Sequence, residues 1–160
     1  MCIRDRAEVV AFWQRTSDLQ RAASGATQLS TALESRLDLL KQTLARTRSA
    51  PQALDDQWQS LHTELQDIIT ILRGNQAQAA TGVAAPANVV SRLGRVLIGI
   101  GNSTYGPTQT HKATLGYAEA DFAGVRTRLN ALQSKAIPEF EAAMQAAGAP
   151  WTPGAALPEN

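Results

Sequence analysis

The stretch LGYAEADFAGVRTRLNALQSKAIPEFEAA, residues 115–143, decides the fold. Its apolar residues Leu115, Ala118, Phe122, Val125, Leu129, Leu132, Ala136, Phe140 and Ala143 recur every three or four positions. That spacing lines one face of a helix and does not fit a strand, whose side chains alternate. Pro138 lies inside the stripe. An interior proline removes a backbone hydrogen bond and clashes with the preceding turn, at about 3 kcal/mol, so the pattern predicts a kink near Ala136–Ile137. Thr108 supplies an N-cap for this helix and Gly148 a stop. Pro150, Pro153 and Pro158 exclude a helical tail over 149–160, which Trp151 and Leu157 are expected to pin back.

Working outward from it, a second long stripe runs from about Ala7 to Arg48 through Phe12, Leu19, Ala22, Ala26, Leu29, Leu33, Leu37, Leu40 and Leu44. Gly25 interrupts it at about 1 kcal/mol relative to alanine, which predicts a bend or a close helix contact there. Lys41, Arg46 and Arg48 suit the negative end of its dipole. Ser49-Ala50-Pro51-Gln52 then reads as a capping box with proline in the first turn. The helix it opens places Asp55 and Asp56 near its start and Trp58, Leu61, Leu65, Ile68, Ile69 and Leu72 on one face, and it stops at Gly74-Asn75.

Residues 76–86 are a low-complexity run of Ala, Gln, Gly and Pro, expected as a mobile connector. A short helix is expected from Asn88 to about Ile100, burying Val89, Leu93, Val96, Leu97 and Ile100 and ending at Gly101-Asn102, with Gly94 and Gly99 allowing close packing. A strand over Arg95–Ile100 is the alternative, because Val96-Leu97-Ile98 is compatible with one. The fold expected is therefore all-α, an antiparallel bundle of four helices with two long, one medium and one short.

Composition narrows the function classes. Lys and Arg number 15 against 14 Asp and Glu, so no excess of positive charge exists to neutralise phosphates or anionic lipid. The apolar run Val96–Ile100 falls far short of the roughly 20 residues that span a bilayer. Residues 1–6, Met1-Cys2-Ile3-Arg4-Asp5-Arg6, resemble a translated sequencing adapter and are set apart from the fold; without them the charge balance is neutral. They contain the single cysteine, so cysteine usage gives no redox compartment. The domain expected is residues 7–148, followed by the Pro-rich tail 149–160.

The residue types that carry chemistry are present but scattered. His62 and His111 stand in no HExxH or ExxH spacing, so neither is expected to ligate a metal, and both are expected at the solvated surface. Gly94 to Ser103 superficially suggests a phosphate loop but lacks both the Gly-Lys-Ser/Thr ending and the G-x-G-x-x-G spacing. Asn102-Ser103-Thr104 matches a glycosylation acceptor, a weak signal. The carboxylate pairs Glu34/Asp38 and Glu64/Asp67 are expected on solvated faces, and Ser24, Ser30 and Ser103 have no G-x-S-x-G context. No catalytic, cofactor-binding or metal residue is expected, and no cofactor.

Ser91-Arg92-Leu93-Gly94-Arg95, Gly106-Pro107-Thr108-Gln109, Ile137-Pro138-Glu139-Phe140 and Ala146-Ala147-Gly148-Ala149-Pro150 form an arrangement that resembles the C-terminal helical region of large bacterial sortilin/VPS10-type proteins with BNR-like repeats, often named glycosyl hydrolases. The resemblance implies a β-propeller parent in the periplasm or outside the cell, of which this chain is a fragment. Any hydrolase activity would belong to the propeller, whose Asp-box motifs have no match here. The expectation is a non-catalytic scaffold or interaction domain whose partner is the upstream propeller or another protein surface, with no nucleic acid and no membrane span. Two alternatives stand beside it: a helical coiled-coil adaptor or receptor signalling segment, and a small enzymatic or metal-binding bundle.

Overall fold

The computed structural model describes residues 3–48, 50–75, 78, 80–82, 86–102, 106–150 and 152, with side chains from residue 6 onward. Among these the chain is all-α. Helix α1 spans Ile3–Arg46, α2 Gln52–Arg73, α3 Val89–Gly101 and α4 Gln109–Ala131; a π-helical turn at Leu132–Ala136 carries α4 into α5, Ile137–Ala146. No strand occurs among the described residues, and Arg95–Ile100 is helical. Two compact units are formed, residues 1–28 with 69–126 and residues 29–68 with 127–160.

Inward positions on α1 follow a strict 4-3 alternation. Phe12, Thr16, Ala23, Ser30, Leu33, Leu37, Leu40 and Leu44 are buried, with Leu19 and Ala26 half-buried between them. Two expectations are corrected here: Ala22 is exposed and Leu29 only half-buried, and the buried positions beside them are Ala23 and Ser30. A 3.5-residue period places Thr16 and Ser30 inward despite their hydroxyls. Burial of Thr16 is tolerable because Oγ1 donates to Phe12 O at 2.8 Å, within its own helix. Gly25 makes no close helix contact: a methyl group there would meet nothing within 4 Å. α1 ends at Arg46, so Arg48 lies beyond it, and Lys41 is engaged by Asp55 of α2 rather than by the end of its helix.

In the unit of residues 29–68 and 127–160, Lys41 meets Asp55, Leu37 O accepts from the Trp58 indole, and Glu34 accepts from Gln66. Numbers fall along α1 as they rise along α2, so the two pair in opposite senses. The proposed capping box at α2 involves Ser49, which lies outside the described residues; the helix starts at Gln52, with Leu54 N–H bonded to Pro51 O at 3.0 Å. Leu54 joins the expected face as a further buried residue.

The end of the last helix departs from a simple stripe. Buried residues run Leu115, Ala118, Phe122, Val125, Leu129, Leu132 and then Ile137, Phe140, Met144. The step from 132 to 137 is five residues, where continuation would give four. Had the α-helix continued, Ala136, Glu139 and Ala143 would face inward. One extra residue in the π turn presents Ile137, Phe140 and Met144 instead, each contributing about 1.5–3 kcal/mol on burial. Ala136 and Ala143 are accordingly only half-buried, contrary to the sequence reading. The Ile137 N–H reaches back five residues to Leu132 O. Pro138, which has no N–H to offer, falls in the first turn of α5, where its lack costs least. The interruption therefore sits where the proline predicts it, in the form of an added residue.

In the unit of residues 1–28 and 69–126, Lys112 Nζ meets Glu8 Oε1 at 2.5 Å and Arg15 pairs with Glu119. Both pairs are 104 residues apart, so α1 and α4 run there in the same sense. Arg92 with Asp121 and Gly99 with His111 set α3 against α4 in the opposite sense. Asn88 caps α3 reciprocally with Ser91: Asn88 Oδ1 accepts from Ser91 N–H at 2.9 Å and Ser91 Oγ from Asn88 N–H at 3.1 Å. Gly74 ends α2 in the left-handed region, φ 84°, and lies so close to Asn88 that an added Cβ would come within 2.8 Å of Nδ2. Between them, Gln78 and Ala80 are helical and Gln78 N–H donates to Asn75 Oδ1 at 3.2 Å, so the described part of the expected connector carries local order. Gly94, expected to pack closely, has open space around it.

Candidate functional site

Charged side chains gather along helix seams, and each unit has its own set. Where α1 and α4 meet, Arg15 grips Glu119 through Nε and Nη2. A cleft of about 300 Å³ lies to one side, lined by Glu8, Ala11, Phe12, Arg15 and Lys112. Another, of about 290 Å³, lies to the other, lined by Asp18, Leu19, Ala22, Phe122 and Arg126 among others. The hydrogen bond from Lys112 and its charge hold the Glu8 carboxyl below the usual range, and Glu119 raises Arg15 above its own. Both shifts favour the charged forms, so the two groups hold their ion pairs at neutral pH.

A third cleft, of about 370 Å³, is lined by Thr70, Ile71, Gly74, Asn75, Ala87 and Asp121, with Gln78 and Pro86. Asp121 faces Arg92 Nε at 3.7 Å, longer than a hydrogen bond, and the Arg92 guanidinium lies over the Tyr117 ring at 5.5 Å.

In the other unit Trp58 organises the surface. Its indole N–H donates to Leu37 O at 2.8 Å, Lys41 Nζ sits 4.5 Å from the ring centroid, and the His62 ring stacks on it at 4.9 Å with a 16° tilt. His62 is thus a half-buried stacking partner and not the solvated side chain expected. Arg128 bridges Glu64 and Asp67, each at 2.6 Å, and its hydrogen bond holds the Glu64 carboxyl below the usual range despite the opposing effect of burial. Arg36 forms a two-point pair with Glu141, and Gln66 donates to Glu34 at 2.8 Å.

The structure does not gather the candidate residues into one place. Asn102 is exposed at the end of α3, and Ser103 and Thr104 lie outside the described residues. Gly94, Arg95 and Val96 to Gly101 are helical, which removes the phosphate-loop geometry. Ser24 is exposed; Ser30 is fully buried in α1. Among the described residues no three His, Cys, Asp or Glu side chains are placed to hold a metal ion, and no helix is long and apolar enough to cross a membrane. The Lys41–Trp58–His62 stack and the Arg128 clamp went unread in the sequence. The four-residue step from Trp58 to His62 was the available signal for the first; the second needs two helices to be paired. No known protein family, curated protein or solved structure matches this chain.

Proposed function

We propose that this chain is a non-catalytic helical scaffold or interaction module, the C-terminal region of a larger secreted or periplasmic β-propeller protein of the sortilin, BNR-like type that its second half resembles. The observation that supports it is the use to which the charged side chains are put. Glu8, Arg15, Arg36, Lys41, Arg128 and their partners join one helix to another. Paired in this way they fix helix register, which suits a structural part.

The test is the DNA immediately upstream in the same reading frame. Asp-box repeats there, and co-purification of the separately expressed propeller with this chain, are the expected results. An upstream frame without such repeats would overturn the proposal.

One observation favours a second reading, a coiled-coil adaptor: α1 runs unbroken for 44 residues. That reading requires self-association, and a strictly monomeric species in light scattering would remove it.

A further inference from the structure

Thr108 and His111 close a reciprocal pair at the start of α4. The Thr108 hydroxyl accepts from the His111 N–H at 3.2 Å, and His111 Nδ1 accepts from the Thr108 N–H at 3.3 Å. This is the arrangement that Ser/Thr-x-x-Glu/Gln forms at helix starts, here with an imidazole in the fourth place. Because Nδ1 accepts, it carries no proton, and in the neutral ring the proton sits on Nε2. The ring also lies against Gly99 of α3: a Cβ at that position would come within 2.9 Å of His111 Cε1 and nearer still to Nε2. It occupies space that only glycine leaves open.

We propose that His111 is a proton-sensitive latch joining the start of α4 to α3. When neutral, it caps α4 and covers Gly99. Once protonated, both ring nitrogens are donors, so Nδ1 faces the Thr108 N–H donor to donor, and a cation stands at the positive end of the helix dipole. The ring then turns away from both Thr108 and Gly99. Next to it in α4 is Lys112, held by Glu8 of α1, and Arg95 stands four residues before Gly99 on α3. The cap depends on a neutral ring, so its contribution to stability is lost when the ring takes up a second proton.

The test is thermal unfolding of the whole chain at pH 7.5 and pH 5.0, with His111→Gln and Gly99→Ala beside the wild type. Glutamine keeps a capping acceptor and does not titrate. Between the two pH values the wild-type Tm should fall about 2–4 °C further than that of His111→Gln. His62 is present in every variant, so its contribution cancels. Hydrogen-exchange protection of the Thr108 amide should drop at pH 5.0 in the wild type and hold in His111→Gln. Gly99→Ala, which displaces the ring, should show no excess pH response. Equal pH dependence in wild type and His111→Gln, or an unchanged Thr108 protection factor, would overturn the proposal, and that comparison decides it even if Gly99→Ala does not fold.

Discussion

Arg36 donates two parallel hydrogen bonds to Glu141, Nε to Oε1 at 2.7 Å and Nη2 to Oε2 at 2.6 Å, across a separation of 105 residues. Only 12 % of the Glu141 side chain is exposed, so removing its partner leaves a carboxylate largely withdrawn from water. Arg36→Ala should therefore destabilise by about 2 kcal/mol in urea unfolding, and Arg36→Met combined with Glu141→Gln by less. A double variant as costly as the single would contradict this account.

The π turn yields a sharper expectation. Deleting Ser134 makes the step from Leu132 to Ile137 four residues, which suits a continuous α-helix, but Pro138 then falls in its interior at about 3 kcal/mol. The deletion alone should destabilise. Combined with Pro138→Ala it should recover wild-type stability or exceed it, while Pro138→Ala alone should change little, because Ile137, Phe140 and Met144 hold the phase. Chemical denaturation of the three variants reads this directly, and additive effects would argue against it.

Gly25 stands in an exposed helix interior with open space around it. Gly25→Ala should stabilise the chain by about 0.5–1 kcal/mol, a Tm increase of a few degrees. A loss of stability would mean that the backbone at this point needs glycine.

Arg128 holds the Glu64 carboxyl below its usual range, so the folded chain binds fewer protons there than the unfolded chain does. The stability this contributes is present above the unfolded carboxyl's titration range and is lost as pH falls through the lowered folded value. Between pH 6 and pH 3 the wild type should lose stability more steeply than Glu64→Gln. The difference should be small, because the pair is partly in water, and it should shrink in high salt. Parallel profiles would count against it.

The helices, their stops and most of their inner faces were legible, because apolar spacing, Asn88, Gly74 and Gly148 act through local chemistry. Two kinds of residue were misread. Thr16 and Ser30 occupy inward heptad positions, and counting apolar residues moved the stripe to Ala22 and Leu29 instead. At the other end, Ala136 and Ala143 continued the count from Leu132 without a break, although the bulkier set Ile137, Phe140 and Met144 carried the true phase. Weighing side-chain size above regularity would have found it. The Trp58 stack and the same-sense pairing of α1 with α4, where an antiparallel bundle was expected, depend on which helices meet, and intervals along one helix do not encode that.

Gly74 and Asn88 touch at the two ends of the stretch that separates α2 from α3. A chain that leaves and returns at one point needs no fixed length in between, because closing a longer excursion costs only about 0.6 kcal/mol per doubling. Residues 75–87 are thus a place where this protein can be lengthened, shortened or made to carry a foreign segment while the helices on either side keep their places.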